Sequence, residues 1–226
     1  MANIVVTGAG RGIGYELVKH FVENGHQVVA VSRNLEKVKQ NIPGAFIFER
    51  DLTQLKGDVL RAFIHERIGQ VDALINNAGA ILNKPFEQIS LQEMQYTYGV
   101  NVFGVAVTIQ ALLPIIKKEG EGHIVNISSM GGFMGSAKFP GLSIYSSSKG
   151  AVSILSECLA EEFKEIGVKV NALCLGAVQT EMLSEAFPGY KAPLTPEKMA
   201  GFIADFALNG HRFLNGKCIP VSLSTP

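Results

Sequence analysis

The sequence predicts an α/β protein: a doubly wound parallel sheet of seven strands with helices on both faces. Three observations predict it. Short apolar runs alternate with stretches of helical periodicity along the whole chain, the pattern of right-handed strand–helix–strand crossovers. A glycine-rich turn, Thr7 to Gly14 (TGAGRGIG), joins the first apolar run to the first helix. No linker, repeat or low-complexity tract interrupts the alternation, so residues 1–226 are expected to form one domain.

Ile4, Val5 and Val6 read as a strand buried on both faces. Tyr15, Val18, Lys19 and Val22 then recur at helical spacing until Asn24-Gly25 stops the helix. Strand, glycine turn and helix in that order suit a dinucleotide's pyrophosphate. Gly8 permits the tight turn, Gly12 lets backbone approach phosphate, and Gly14 lets helix pack on strand. The helix start adds free N–H groups and a positive dipole end. Gly8, Arg11, Gly12, Ile13 and Gly14 are therefore candidate cofactor contacts. A second strand at 28–31 ends in Ser32-Arg33-Asn34, and a short helix at 35–41 follows. Pro43-Gly44 turns into a strand at 45–48, and a helix is expected from Asp51-Leu52-Thr53 to about residue 68. The fourth strand, 71–75, runs into Asn76-Asn77-Ala78-Gly79. A long helix is expected over 91–118, a strand over 123–128, and a glycine-rich loop over 130–141. A helix at 143–166, a strand at 168–173, a loop with Pro188 and Pro193, a helix at 196–208 and a strand at 218–221 complete the chain.

Composition excludes several classes. The 226 residues carry no net charge, which argues against nucleic acid or an acidic membrane surface as partner. Three separated cysteines make no disulfide framework, and buried free thiols in a reducing, cytoplasmic setting are expected. The five histidines have no metal-ligand spacing, so no metal is expected. The chain enters a strand almost at once, leaving no room for a signal peptide. Residues 95–116 hold no charge, but Asn101, Thr108, Gln110 and Pro114 disfavour a membrane span. A helix buried in the protein or in an oligomer interface fits better.

In such folds ligands bind at the carboxyl ends of the strands. An acidic residue ending the second strand would bind ribose hydroxyls and repel a 2′-phosphate. Here Ser32 and Arg33 stand there, with Arg11 close by, and two guanidinium forks suit a 2′-phosphate. NADP(H) is therefore expected over NAD(H). Asp51 follows the third strand, where it meets an adenine amino group or merely caps a turn. Tyr145 and Lys149 lie four apart at a helix start, after a strand-end Ser129. A lysine ammonium near a phenol lowers a pKa that is ordinarily about 10. Tyr145 then acts as acid toward a carbonyl oxygen or base toward an alcohol, while the Ser129 hydroxyl holds the same oxygen.

These motifs, in this order, resemble the single-domain short-chain dehydrogenase/reductase family over nearly the whole chain: TGAGRGIG, Asp51-Leu52, NNAG, Asn101 in the long helix, Ser129, Tyr145-Ser-Ser-Ser-Lys149, and a strand leading to Gly176 and Thr180. The resemblance implies a Rossmann-type three-layer sandwich. It implies Asn101, Ser129, Tyr145 and Lys149 as the catalytic tetrad, with Asn101 binding a relay water and Lys149 the nicotinamide ribose. It places Leu52 and the backbone of Asn77, Ala78 and Gly79 against the cofactor, and Thr180 at the nicotinamide carboxamide. It also implies a homodimer or homotetramer joined through the long helices. The chain departs from the family in Leu175-Gly176, where Pro-Gly is usual, in a longer loop after Ser129, and in a short segment over 181–195. Met130, Phe133, Met134, Phe139, Pro140 and Leu142 on one side, and Met182, Leu183, Phe187, Pro188 and Tyr190 on the other, suggest an apolar carbonyl or alcohol substrate. The expected function is NADPH-dependent carbonyl reduction or alcohol oxidation; the alternative is a cofactor-binding sensor or scaffold of the same fold.

Overall fold

The computed structural model describes residues 1–224. Seven parallel strands form one sheet: β1 (Asn3–Thr7), β2 (Gln27–Ser32), β3 (Ala45–Glu49), β4 (Ala73–Asn76), β5 (His123–Ser129), β6 (Lys169–Leu175) and β7 (Cys218–Val221), in the order β3-β2-β1-β4-β5-β6-β7. The central strands are apolar because both faces are covered, and Ile4, Val5 and Val6 are wholly buried. Chain order reverses direction across the β1–β4 pair, so a crevice opens at the carboxyl ends there.

One face is covered by α1 (Gly12–Glu23), α2 (Glu36–Asn41) and α8 (Pro196–Asn209). The other is covered by α3 (Gly57–Ile68), α4 (Leu91–Tyr98), α5 (Gly104–Leu112) and α6 (Ser143–Glu162). Phe21 and Leu17 of α1 pack with Ile203 and Ala207 of α8 in the first layer. Leu60 and Ile64 of α3 pack with Ile109 and Leu112 of α5 in the second.

Several expectations need correction. The helix after Asp51 begins only at Gly57, because Asp51 first caps a 3₁₀ turn at Leu52–Gln54. The long helix ends at Leu112 rather than at 118, since Leu113 and Pro114 turn the chain so that Ile116 bridges Val71. Val71 thereby sits outside β4, and the strand starts at Ala73. That helix is also broken at Gly99–Phe103, where one π-helical turn joins α4 to α5. α6 stops at Glu162, before the expected 166. The segment after Thr180, expected to be loop, contains α7 (Glu181–Ala186), capped by the Thr180 hydroxyl. Of the thiols, Cys174 is buried but Cys158 is exposed and Cys218 intermediate; all three are free. Among the described residues no helix is long and apolar enough to cross a membrane, and no group of side chains could hold a metal ion.

Leu175 shows what replacing a proline permits. β6 extends to Leu175, which stands opposite Ser129 in the β5–β6 register, where a proline would have no N–H to offer the sheet. Gly176 remains necessary, because a Cβ there would stand 2.0 Å from the Ser222 hydroxyl.

Candidate active site

The carboxyl ends of β1, β2, β4, β5 and β6 surround a cleft of about 280 Å³. Its floor is the glycine turn. Gly8 has a φ of +68°, and a Cβ there would come within 2.6 Å of the Ala78 backbone. A Cβ on Gly14 would stand 2.1 Å from the Gly8 carbonyl, so only glycine lets α1 sit this close to β1. The same turn is stitched to the NNAG loop. The Asn77 side chain donates to the carbonyls of Thr7 (3.1 Å) and Gly8 (3.2 Å), and the Ala78 N–H donates to the Thr7 hydroxyl. No side chain caps the start of α1. The bare glycine edge and the uncapped helix start fit a pyrophosphate, and Gly8, Gly12, Ile13, Asn77, Ala78 and Gly79 all line the cleft.

At the β2 end the cleft is lined by Ser32, Arg33, Arg50, Asp51, Leu52 and Tyr96. Arg33 accompanies neutral and anionic partners: its Nη1 donates to the Tyr96 phenol at 2.7 Å and lies 4.0 Å from Asp51. Asp51 itself accepts from the N–H and hydroxyl of Thr53, the capping role that sequence left open. Arg11 reaches the other way, forming two bonds to the Glu185 carboxylate of α7, at 2.6 and 3.3 Å. That guanidinium holds the Glu185 carboxyl below its usual range.

At the chemical end, Lys149 is 3 % exposed and donates from Nζ to the Ile127 carbonyl at 2.8 Å. Burial lowers its ammonium to about 8. A Cβ on Gly79 would meet Lys149 Nζ at 3.4 Å and Asn101 Oδ1 at 3.5 Å, so the two side chains converge beside the NNAG loop. Asn101 lies in the π-helical turn, which aims it out of the helix stack and toward Ala80. It accepts from the Ala80 N–H at 2.7 Å, donates to the Ala80 carbonyl at 2.9 Å, and donates to the Ser148 hydroxyl. Tyr145 and Ser129 face the cleft together. The sequence leads one to expect that Lys149 depresses the phenol's pKa. Instead burial dominates and pushes Tyr145 upward, while the Ser129 hydroxyl pulls it partly back. Tyr145 is therefore a phenol, a proton donor, at neutral pH.

Thr180 lines the cleft with its hydroxyl committed to the Leu183 N–H of α7. Of the apolar loop residues, Met130, Phe139, Leu142, Met182, Leu183 and Phe187 line the cleft. Phe133, Met134, Pro140, Pro188 and Tyr190 do not, and Met134 is 86 % exposed. Lys138 is tied back to the carbonyls of Phe133 and Ser136. Sequence reading missed Arg50, Ile81, Tyr96 and Val100 as lining residues. Arg50 was reachable by the strand-end rule, since β3 ends at Glu49. No local pattern marked Tyr96, which enters from α4.

A cleft whose glycine-lined end fits a dinucleotide and whose other end holds a buried phenol suits hydride-transfer chemistry, and the protein is an NAD(P)-dependent dehydrogenase or reductase. More narrowly, the chain belongs to the short chain dehydrogenase family, whose model matches residues 2–191. An oxidoreductase of Botryotinia fuckeliana is 32% identical over 210 residues, spanning 89% of this chain and 74% of its relative. An uncharacterized oxidoreductase of Staphylococcus aureus strain MW2 is 32% identical over 203 residues, 87% of this chain and 86% of the other. Among solved structures, the 3-ketoacyl-(acyl-carrier-protein) reductase of Brucella melitensis, complexed with NADH, superposes with a TM-score of 0.86 at 27% identity, covering 98% of this chain and 96% of that one. A short chain dehydrogenase of Burkholderia cenocepacia, in complex with NADP, has the same fold at 24% identity and a TM-score of 0.86.

Proposed function

We propose that this protein is an NADPH-preferring carbonyl reductase, with Asn101, Ser129, Tyr145 and Lys149 as its working residues. The observation that carries the reading is the convergence of those side chains around Gly79 and the cleft, beside a glycine turn bare enough for a pyrophosphate. One domain holds both sites. When bound, the nicotinamide supplies or accepts the hydride. Gly8, Gly12 and Ile13 would hold its pyrophosphate, Asn77, Ala78 and Gly79 would lie along it, and Ser32, Arg33 and Arg11 would face a 2′-phosphate; Gly14, expected as a further contact, does not line the cleft and instead packs α1 on the turn. Complexes of the Brucella melitensis relative with NADH support a nicotinamide cofactor as such; the preference for NADPH rests on the two arginines and the missing carboxylate at Ser32.

Ser129 donates to the carbonyl oxygen and fixes its position. Tyr145, held protonated by burial, gives the same oxygen its proton. Lys149 and Asn101 order the NNAG side of the cleft, with Lys149 poised to lose its charge near pH 8. The substrate is a medium-sized, mostly apolar aldehyde or ketone, because Met130, Phe139, Leu142, Met182, Leu183 and Phe187 give no fixed partner for a carboxylate or phosphate. Exposed Leu91, Phe103 and Ile154 on α4, its π turn and α6 support a homodimer or homotetramer, and three free thiols suit a reducing cytoplasm. The test is Tyr145→Phe: NADPH binding persists while turnover on a carbonyl panel is lost. Retained turnover would remove Tyr145 from the mechanism. Ser32→Asp reverses the cofactor preference measured by titration.

A further inference from the structure

Arg11, Arg33 and Arg50 line the cleft near the proposed 2′-phosphate position, and the surroundings of Arg11 and Arg33 differ. Arg33 donates to the neutral Tyr96 phenol at 2.7 Å and has a carboxylate, Asp51, only at 4.0 Å, so its anionic contact is the looser of the two. Arg11 is held by an anion already, through bonds from Nη1 and Nη2 to Glu185 that occupy one of the two edges a guanidinium can offer a phosphate. Glu185 does not swing freely. Its helix, α7, is capped by Thr180 at one end. At the other end the Asn83 side chain donates to the Ala186 carbonyl at 2.8 Å. Gln179 bonds Ser184 and the N–H of Ala192, closing a frame around the helix. The same helix start brings Glu181 Oε2 within 3.4 Å of where a Gly12 Cβ would lie, beside the proposed pyrophosphate cradle. The start and middle of α7 thus present carboxylates to the groups that a dinucleotide's phosphates need.

We propose that Glu185 is a specificity-determining residue: by occupying Arg11 it weakens NADPH binding and narrows the preference over NADH. This rests on the reading of the cleft as an NADPH site. A 2′-phosphate must displace Glu185 to use the Nη1/Nη2 edge of Arg11, whereas NADH makes no such demand. Both partners are more than half exposed, so the competing pair is a weak one. Releasing it should tighten NADPH by up to about fivefold, the upper range of a surface ion pair.

Isothermal titration of NADPH and NADH against wild type, Glu185→Gln, Arg11→Ala and the double variant tests this. Glu16→Gln is the control, since Glu16 lies on the adjoining surface without bonding Arg11. The expected result is an about two- to fivefold tightening of NADPH in Glu185→Gln, a smaller change for NADH, no change in Glu16→Gln, and no effect of Glu185→Gln when Arg11 is already alanine. Equal tightening of both cofactors, unchanged NADPH affinity, or an effect that survives in the Arg11→Ala background would overturn the inference while leaving the NADPH site standing. A wild-type protein that binds neither dinucleotide would overturn the site and the inference together.

Discussion

Strands β5 and β6 carry buried polar groups at both ends, and the two ends are built differently. At the amino end, His123 and Asn171 are wholly buried and form a closed network. Asn171 donates to His123 Nε2 and to the Leu214 carbonyl, and accepts from the Lys217 N–H, each at 3.0 Å. His123 Nε2 therefore accepts, which leaves the proton on Nδ1 to donate to the Ala207 carbonyl. Every strong group of these two side chains is used within the protein. At the carboxyl end, Ser129 and Tyr145 open onto the cleft; a buried polar atom without a partner among the described residues occurs near each end, the Ser146 hydroxyl here and His211 Nδ1 on the ring that packs against His123. A closed network stabilises the fold; an open one leaves donors to meet a ligand, and contributes less to stability.

The largest effect on stability should come from breaking the closed end. Asn171→Ala strands three partners and opens a void, and about 3–5 kcal/mol should be lost in denaturant unfolding. Turnover per folded molecule should not change, because the cleft lies at the opposite end of the strands. A loss of turnover matching or exceeding the loss of stability would dissolve the distinction.

Acid should act on the same end. Burial lowers His123 from 6.5 to about 4, so between those values the unfolded chain binds a proton that the folded chain refuses. Its contribution is present in full above pH 6.5, declines as pH falls toward 4, and is constant below. The loss is about 3 kcal/mol, and burial shifts His26 and His211 in the same direction. Urea midpoints from pH 7 to 4 read this slope, and His123→Gln should flatten it; an unchanged slope would mean His123 is not the titrating group.

At the open end the balance reverses. Asn101→Ala unpairs the Ala80 N–H and carbonyl at the border of the cleft, and should cost about 1–2 kcal/mol while turnover falls far more. Smallest of all in stability is Tyr145→Phe, expected within about 0.5 kcal/mol of wild type in the same unfolding assay. A substantially less stable phenylalanine variant would mean that the phenol belongs to a closed network after all.

Much of this was readable beforehand. The glycine turn, the strand alternation, the NNAG motif and the Tyr145–Lys149 pair are local patterns, and each occupies the element its spacing implied. Gly8 and Gly14 are forced by backbone contacts that any strand–turn–helix of this kind makes, so short-range sterics dictate them. The boundaries at 112 and 162, and the six-residue α7, were not readable, because caps and a Pro114 turn compete locally with helical periodicity and packing decides between them.

Sequence alone therefore determined the sheet, the crevice and the residue types that reach it, since strand periodicity and glycine geometry act over a few residues. Tertiary structure alone decided what those residues do to one another. Arg11 meets a carboxylate 174 positions away, Arg33 meets Tyr96 across 63, and the Tyr145 phenol is governed by burial rather than by Lys149. Ion pairing, hydrogen bonding and desolvation depend on distances in space, and only the folded chain brings such distant residues within reach.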